Sequence, residues 1–353
     1  MAKAVTRILM AASGTGGHLF PALAVAKQLT DCDIEWLGTP DRLETDLVPG
    51  EYHRHTVTAK GLQGKPLQKL KNGLQLLASV FQTHKILGDR RIDLVFTTGG
   101  YIAAPAILAA RWRRIPVILH ESNVLPGKVT RFLGKYATAV VIGFQESAQY
   151  LPKARTLHLG TPVRPEFLTP QALDLNLPGD RPLILVMGGS QGAVGINQLV
   201  RQCAVDWIAA GAVIVHITGK NDPDVAQFQD PHYFPLPFTD KIAALLQRAS
   251  VVVSRSGASA LTELTITKTA AILIPYPYAA EDHQTINAQV FVKHQAGLLA
   301  PQKDLTPERL SEMVLDLLRH PAKREAIAAN AATLGIPQSA KQIADFLRTT
   351  LSL

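Results

Sequence analysis

Short apolar runs alternate with amphipathic segments along most of the chain. An apolar run bounded by glycine or polar residues is typical of a strand buried in a parallel sheet. In the first half of the chain such runs lie at 7–12, 34–38, 94–98, 117–120 and 139–142. The spacing of apolar residues predicts helices between them, near 18–30, 67–88, 102–113 and 127–136. This alternation predicts a doubly wound α/β domain of Rossmann type.

The same alternation restarts after a break at 160–165. Two prolines in this stretch, Pro162 and Pro165, exclude regular structure and indicate a linker. The pattern resumes at 181–193, and further strands are predicted at 212–217, 251–253 and 271–275. A length of 353 residues also exceeds that of a usual single-core domain. We therefore predict an N-terminal domain over 1–162, a C-terminal domain over 163–337, and a helical tail over 338–353 that joins the N-terminal domain.

Three predicted strand-to-helix junctions are rich in small residues, at 13–18, 188–192 and 254–264. The free backbone N–H groups and the positive dipole end at the start of a helix bind phosphate-type anions. The first spacing is neither the dinucleotide G-x-G-x-x-G nor a P-loop, and alone it fits a tight turn as well as a ligand site. A second glycine loop at the matching place in the second half favours ligand binding. We expect the ligand in a cleft between the two domains.

Several polar side chains lie at or near these junctions. His18 follows the first glycine loop, and Glu263 lies in the helix after the third. Glu263 is either a partner of the helix dipole or an acceptor for the two hydroxyls of a ribose. A further cluster at 282–287 includes Gln284 and begins with Asp282, for which helix capping is the alternative. We find no Ser-His-Asp or Cys-His arrangement of the kind used in nucleophilic catalysis.

Composition narrows the classes of partner. The formal net charge of +8 indicates an anionic partner, but the basic residues are scattered without interleaved aromatics, which argues against nucleic acid. Cys32 and Cys203 lie far apart without metal-ligand spacing, so we expect a reduced, cytoplasmic protein with no metal. We find neither a signal-peptide pattern nor an apolar run long enough to span a membrane.

Taken in order, the motifs of this chain resemble those of the MurG glycosyltransferases of peptidoglycan synthesis. The motifs that carry the resemblance are Gly14-Thr15-Gly16-Gly17-His18 with Phe20-Pro21, Leu37-Gly38-Thr39, Thr98-Gly99-Gly100-Tyr101, His120-Glu121-Ser122-Asn123, Gly160-Thr161-Pro162-Val163-Arg164, Gly188-Gly189-Ser190-Gln191-Gly192-Ala193, Arg255-Ser256-Gly257-Ala258, and Asp282-His283-Gln284 with Asn287-Ala288. Each motif is weak alone, whereas their order along nearly the whole chain is highly specific. Ser122 and Thr161 depart from the family pattern, in which Gln and Asn are common at these two positions.

The resemblance implies an α/β protein of the GT-B glycosyltransferase fold, with two Rossmann-like domains facing across a cleft. It implies inverting transfer of N-acetylglucosamine from UDP-GlcNAc to the 4-hydroxyl of the muramoyl sugar in undecaprenyl-diphosphate-MurNAc-pentapeptide (lipid I), giving lipid II, with no cofactor. The residues that it assigns to the donor site are Thr15, Gly16, Gly17, Asn123, Arg164, Ser190, Thr239, Glu263 and Gln284. The acceptor hydroxyl needs a base, and His18 is the best-placed titratable group.

Two alternatives stay open at this point. One is another UDP-sugar enzyme on the same fold, such as a UDP-GlcNAc 2-epimerase, which needs no lipid acceptor. The other is a non-catalytic protein that binds a nucleotide sugar. Turnover of UDP-GlcNAc with and without a lipid I analogue separates these from the transferase.

A lipid-linked acceptor predicts a protein that docks on the cytoplasmic face of the inner membrane, beside other cell-wall synthesis proteins. The segment 65–90 is the predicted docking surface, with the basic cluster 111–114 and its Trp112. Helical spacing alone predicts that one stripe faces the core: Leu67, Leu70, Leu74, Leu77 and Phe81. A second apolar side carries Leu76, Val80 and Leu87, and Lys65, Lys69, Lys71 and Lys85 surround the helix. Such a surface suits anionic headgroups, and we take Leu76, Val80 and Trp112 as its contacts.

Overall fold

A computed structural model describes residues 5–40, 47–58, 66–189 and 192–351, with the side chains of 66–70 excepted. The chain divides into two compact units. Unit 1 comprises Met1–Arg164 and Ile336–Leu353, and unit 2 comprises Pro165–Gly335. Unit 1 thus contains both the first part of the chain and its last helix.

The described residues form two parallel sheets and the helices around them. The strands are β1 Arg7–Ala11, β2 Asp33–Gly38, β3 His53–Thr56, β4 Leu94–Thr97, β5 Val117–Glu121, β6 Ala139–Ile142, β7 Thr156–His158, β8 Leu183–Met187, β9 Val213–Ile217, β10 Tyr233–Leu236, β11 Val251–Ser254, β12 Ala271–Leu273 and β13 Leu298–Leu299. The α-helices are α1 Gly16–Ala26, α2 Pro66–Asp89, α3 Ala103–Arg113, α4 Lys128–Leu133, α5 Val194–Ala209, α6 Ile242–Arg248, α7 Ala258–Thr267, α8 His283–Lys293, α9 Pro307–Arg319, α10 Pro321–Thr333 and α11 Ser339–Thr350. Short 3₁₀ helices lie at Gly134–Tyr136, Gln145–Tyr150, Pro165–Phe167, Ala280–Asp282 and Gln302–Asp304.

Unit 1 is a doubly wound sheet with helices on both faces. Its strands follow the order β3-β2-β1-β4-β5-β6-β7, and every pair is parallel. Leu19 of α1 and Ile343 of α11 pack on one face of the sheet. Val80 of α2 and Ile107 of α3 pack on the other face. The central strands β1, β4, β5 and β6 are buried, which is why they read as continuous apolar runs in the sequence.

Unit 2 repeats the architecture with the order β10-β9-β8-β11-β12-β13, again in parallel pairs. Trp207 of α5 and Leu310 of α9 are fully buried in its main core. In each unit the strand order reverses beside the first strand, between β1 and β4 and between β8 and β11. Ligands of such sheets bind outside the carboxyl ends of the strands at this point.

Four short strands were not predicted, namely β3, β7, β10 and β13. Strand β3 reads His53-Arg54-His55-Thr56 and lies at the edge of its sheet, so it lacks the apolar run of a central strand. Strand β13 has only two residues. Such strands are defined by pairing with a neighbour, which local composition does not report.

Helix α2 turns a different side to the core than we predicted. Val80 and Leu87 are 9% and 1% exposed, whereas Leu74, Leu77 and Phe81 are 61%, 58% and 59% exposed. The predicted assignment of the two sides is therefore wrong. Helix α3 packs against α2 and covers the Val80 side, while the other apolar side faces outward. The side chains of Lys65, Leu67, Lys69 and Leu70 lie outside the described residues.

Within the described residues, no helix is both long enough and apolar enough to span a membrane.

Candidate functional site

The carboxyl ends of β1 and β4 bring two glycine-containing segments together in unit 1. Strand β1 leads through Ser13 and Gly14 into α1, and β4 leads into Thr98, Gly99 and Gly100. Gly99 and Gly100 have φ angles of 91° and 74°, a conformation that favours glycine. The strand order reverses between these two strands, so this is the point of unit 1 where a ligand is expected.

His18 in the first turn of α1 is held by the segment after β4. Its Nδ1 donates to the Thr98 carbonyl oxygen at 2.7 Å, and the Thr98 hydroxyl donates back to the His18 carbonyl at 2.9 Å. A carbonyl only accepts, so Nδ1 carries the hydrogen and Nε2 is the acceptor of the neutral ring. A Cβ placed on Gly100 would lie 3.5 Å from Nε2, in van der Waals contact with it. Glycine thus leaves this edge of the imidazole open.

His120 at the end of β5 is a second histidine near the carboxyl ends of the strands of unit 1. It is fully buried, and its Nε2 donates to the Gly160 carbonyl oxygen at 3.1 Å. Burial lowers the pKa of His120 from 6.5 to about 4; the hydrogen bond to Gly160 opposes this shift, and repulsion between the protonated forms of His120 and His18 adds to it. His120 is therefore neutral at neutral pH and places no positive charge beside His18.

Asn123, a predicted donor-site residue, is positioned by a buried carboxylate. Glu121 Oε1 accepts from the Asn123 backbone N–H at 3.0 Å and from its side-chain amide at 3.3 Å. The other oxygen, Oε2, accepts from the Gly127 N–H at 2.9 Å and the Thr130 hydroxyl at 2.7 Å. Glu121 is 5% exposed, so one carboxylate orders the whole turn between β5 and α4.

The first glycine loop and Arg164, the last residue of the first segment of unit 1, both contact Phe20. Thr15 is the exposed residue before α1, and Gly16 and Gly17 open the helix. A Cβ on Gly16 would lie 2.7 Å from the Phe20 ring, so glycine is required for this close packing. The Arg164 guanidinium lies 4.7 Å from the centre of the same ring. Thr15, Gly16, Gly17, His18 and Arg164 therefore lie around the start of α1.

In unit 2 the loop after β8 occupies the equivalent place. Ser190 and Gln191 lie outside the described residues, and the glycines on either side of them are described. Gly192 has a φ of 77°, and a Cβ there would lie 2.6 Å from the Thr218 carbonyl oxygen after β9. Only glycine fits this close backbone approach.

The segment after β11 is bonded to the start of α8, which carries Gln284, a predicted donor-site residue. The Ser256 hydroxyl donates to the Gln284 carbonyl oxygen at 2.8 Å, and the Asn287 amide donates to the Ser256 carbonyl at 3.1 Å. The Gln284 Oε1 accepts from the Tyr276 N–H at 3.0 Å. These bonds fix the start of α8 against the start of α7. Glu263 lies half-buried in α7, within the same part of unit 2.

Thr239 lies in the loop before α6, and its hydroxyl accepts from the Lys241 N–H at 3.0 Å. Phe238 beside it is 67% exposed, and the Lys220 ammonium lies 5.7 Å from the Phe238 ring. The structure thus places Thr239 in the loop between β10 and α6.

Two residues that position others belong to quoted motifs, but the sequence analysis assigned no role to either of them. Thr98 fixes the tautomer of His18, and Glu121 orders the turn that carries Asn123. Both follow or end a buried strand at the carboxyl edge of the sheet. Their motifs were visible in the sequence, but the partners lie 80 residues away for Thr98 and within the following turn for Glu121.

Comparison with known proteins places the chain in a family. The glycosyltransferase family 28 N-terminal domain matches residues 8–142, and the family 28 C-terminal domain matches residues 183–343. A protein of Gloeothece citriformis is 58% identical over 349 residues, which cover 99% of this chain and 97% of that protein. It is named UDP-N-acetylglucosamine–N-acetylmuramyl-(pentapeptide) pyrophosphoryl-undecaprenol N-acetylglucosamine transferase.

Solved structures agree with this placement. The crystal structure of Acinetobacter baumannii MurG matches with a TM-score of 0.81 and 29% identity, over 98% of this chain and 99% of that one. A UDP-GlcNAc 2-epimerase of Neisseria meningitidis, bound to UDP-GlcNAc, matches with a TM-score of 0.68 at 15% identity, over 98% of this chain and 100% of that one, and shares the fold alone. The predicted GT-B class is confirmed. The chain belongs to glycosyltransferase family 28 and, within it, to the MurG N-acetylglucosaminyltransferases.

Proposed function

We infer that this chain transfers N-acetylglucosamine from UDP-GlcNAc to the 4-hydroxyl of the muramoyl sugar of lipid I, giving lipid II for peptidoglycan synthesis. It is a hexosyltransferase, as its relatives at 51% to 58% identity over nearly the whole chain are named. The observation in the fold that carries the chemistry is the His18–Thr98 pair, which leaves Nε2 as a hydrogen-bond acceptor at the ligand-binding edge of unit 1.

Transfer requires removal of a proton and departure of UDP. We propose that His18 Nε2 accepts the proton of the 4-hydroxyl while that oxygen bonds to the anomeric carbon. The bond from this carbon to the β-phosphate oxygen breaks, the electron pair leaves with UDP, and the configuration inverts. Backbone N–H groups at the starts of helices and in glycine loops stabilise the charge on the leaving phosphate.

The two units divide the substrates in this proposal. Unit 2 binds the nucleotide, with Glu263 accepting from the ribose hydroxyls and with Ser190, Thr239 and Gln284 as further contacts. Unit 1 binds the lipid-linked acceptor. Thr15, Gly16, Gly17 and Asn123 contact the reacting sugar and phosphates, and Arg164 contacts the nucleotide. The bonds that hold Gln284 and Asn123 in place support these roles.

A transfer assay tests the function against its nearest alternative. The intact protein is incubated with UDP-GlcNAc, with and without a lipid I analogue, and both UDP and the disaccharide product are measured. We expect UDP release that depends on the acceptor. Formation of UDP-ManNAc without an acceptor would instead identify a 2-epimerase, and binding without turnover would identify a non-catalytic protein.

Glu263→Ala is expected to weaken UDP-GlcNAc binding by about tenfold to a hundredfold. Two ribose hydroxyls would lose a charged acceptor, and hydrogen bonds to charged groups contribute roughly 1.5–3 kcal/mol. Calorimetric titration with UDP and the KM for UDP-GlcNAc measure the change. The control is Glu312→Ala, which removes an exposed carboxylate from α9 of the same unit. Unchanged affinity in a folded Glu263 variant would remove this residue from the site.

We propose that unit 1 docks on the cytoplasmic face of the inner membrane, where the acceptor is found. The apolar surface of α2 and α3, formed by Leu74, Leu77, Phe81 and Trp112, is 57% to 61% exposed. The Phe81 and Trp112 rings lie 5.5 Å apart and join the two helices into one surface. The exposed basic residues around it are Lys71, Lys85, Arg111, Arg113 and Arg114. Apolar side chains ringed by cations suit an anionic bilayer surface.

Changing Leu74, Leu77 and Trp112 together to serine is expected to weaken binding to phosphatidylglycerol vesicles by at least about 30-fold. Half-exposed apolar side chains that enter the interface each lose part of the roughly 1.5–3 kcal/mol of full burial. Co-sedimentation at low and high salt measures binding. The matched control changes three exposed apolar residues of unit 2, Leu168, Val205 and Val292. Equal loss in both variants would place docking elsewhere.

Two further proposals, on protein partners and on cellular roles, follow from docking at the membrane where lipid II is made. Other cell-wall synthesis proteins are expected partners, and roles in cell shape and cell division follow from peptidoglycan synthesis. Affinity purification from membranes, with the serine variant of the apolar surface as the control, tests whether such partners depend on docking.

A further inference from the structure

Unit 2 contains a buried ion pair that the proposed reaction does not use. Arg201 on α5 donates from Nη1 to Asp222 Oδ2 at 2.8 Å and from Nη2 to Asp222 Oδ1 at 3.3 Å. The two side chains are only 6% and 1% exposed. Burial alone would raise the pKa of Asp222, but the hydrogen bond from Arg201 holds that pKa below its usual range. Because removing two charges from water costs about as much free energy as their attraction returns, stability alone does not account for this pair.

Asp222 belongs to residues 218–224, which follow β9 at the carboxyl edge of the sheet and which we call the β9 segment. In the sheet of unit 2, β9 lies between β8 and β10. The β9 segment therefore lies between the loop after β8, which leads into α5, and the loop after β10, which carries Thr239. In the proposed function both of these loops bind the nucleotide.

The β9 segment contacts the loops on both sides of it. On the β8 side, a Cβ on Gly192 would lie 2.6 Å from the Thr218 carbonyl oxygen, so this carbonyl lies against the Gly192 backbone. On the β10 side, the Thr218 N–H donates to the Leu236 carbonyl oxygen at 2.9 Å. The Lys220 ammonium lies 5.7 Å from the centre of the Phe238 ring. A shift of the β9 segment would therefore displace the backbone of both loops.

Helix α5 holds the β9 segment at two points that are one helical turn apart. The Asn197 amide donates to the Thr218 carbonyl oxygen at 2.8 Å. Arg201 lies four residues later, on the same side of the helix, and pairs with Asp222. The Asp224 carboxylate also lies 3.8 Å from the Arg201 guanidinium. Asn197 thus holds the beginning of the segment, and Arg201 holds its far end.

Two buried side chains fix the orientation of Asn197. His216 Nε2 donates to Asn197 Oδ1 at 3.0 Å, and the Tyr233 hydroxyl donates to His216 Nδ1 at 2.7 Å. Burial lowers the pKa of His216 to about 3, and the charge of Arg201 adds to this shift, so the ring is neutral and Nδ1 accepts. The amide of Asn197 therefore turns its N–H groups toward Thr218, and the whole contact is built in before any ligand binds.

We propose that Arg201 and Asp222 are positioning residues for the nucleotide, because their ion pair fixes the β9 segment and, through it, the start of α5 and the loop that carries Thr239. This role rests on the nucleotide site of unit 2 in the proposed function. Neither side chain contacts the nucleotide. Loops that already have their bound geometry lose less conformational freedom on binding, and this increases affinity. Donor affinity should therefore depend on the pair, whereas the chemical step and acceptor binding should not.

Arg201→Met in the full-length protein removes the ion pair and keeps much of the side-chain volume. We expect the Kd for UDP and the KM for UDP-GlcNAc to rise about tenfold, within the roughly 2- to 30-fold range by which residues remote from a ligand change its affinity. The kcat at saturating donor and the KM for a lipid I analogue should stay at their wild-type values. Arg201→Lys, which keeps a cation opposite Asp222, should bind UDP more tightly than Arg201→Met.

A double variant separates positioning from stability. Arg201→Met alone leaves the Asp222 carboxylate buried without its cation, so the melting temperature should fall. Arg201→Met with Asp222→Asn removes both charges, and asparagine can still accept from the Asp224 N–H. This double variant should regain the melting temperature but still bind UDP about tenfold more weakly than the wild type. Hydrogen exchange of the β9 segment should be faster in both variants, because its far end is no longer held.

The matched control is Arg248→Met, the same substitution at the last residue of α6. Arg248 Nη2 donates to the carbonyl oxygens of Gly179 and Arg181 at 2.9 and 2.7 Å, on the amino side of β8. This variant should lose stability and keep its UDP affinity. An equal loss of UDP affinity in the control, or wild-type affinity in the double variant, would overturn the proposal alone. An absence of UDP binding by the wild-type protein would overturn the proposed function and this role together.

Discussion

His18→Ala is expected to lower kcat by about 10²–10⁴-fold, the usual contribution of a positioned general base. The Thr98 carbonyl holds Nδ1–H at 2.7 Å, so Nε2 is available to accept the proton of the acceptor hydroxyl. Alanine removes that acceptor but leaves the glycine loop and the start of α1. We therefore expect UDP binding to stay close to the wild-type value, with the loss confined to turnover.

Two measurements distinguish the role of His18. Steady-state turnover with saturating substrates reports kcat, and calorimetric titration with UDP reports nucleotide affinity. His294→Ala, which changes an exposed histidine at the end of α8, is the control and should keep both. A fall in UDP affinity that accounts for the whole loss would make His18 a phosphate contact. Normal turnover would exclude both roles.

Glu121→Gln is expected to destabilise unit 1 by about 3 kcal/mol and to remove most activity. The carboxylate accepts four hydrogen bonds, two on each oxygen, and an amide turns one accepting oxygen into a donor. Two donors are then left facing an N–H group, and at the lower end of the roughly 1.5–3 kcal/mol for each lost bond to a charge the total is about 3 kcal/mol. The melting temperature should fall by about 6–12 °C in a unit of this size.

Thermal melting and steady-state kinetics measure the two consequences of the Glu121 change. The control, Glu51→Gln, makes the same substitution at an exposed site in unit 1 and should change neither. A less stable variant whose KM and kcat remain normal would show that Glu121 supports the turn without positioning Asn123. Unchanged stability would mean that the four bonds are replaced by others.

Much of the architecture follows from local pattern. The strands β1, β4, β5, β8 and β11 were predicted because central strands of parallel sheets are buried on both faces and read as apolar runs. The glycine loops at 13–18 and 188–192 were also predicted from local composition, and in them Gly14 and Gly192 adopt positive φ angles of 103° and 77°. The edge strands β3 and β13 were missed, because pairing rather than composition defines them.

The sequence by itself determined how the central strands, the glycine loops and the helices between them follow one another along the chain, and with them which residues lie after the carboxyl ends of those strands. Only the tertiary structure decided which of two apolar sides of α2 is covered, because α3 packs on the Val80 side and leaves Phe81 outside. It also decided the tautomer of His18, since the Thr98 carbonyl comes from the segment after β4, 80 residues away along the chain. Helical spacing reports that a side is apolar, and it carries no information about the partner that buries it.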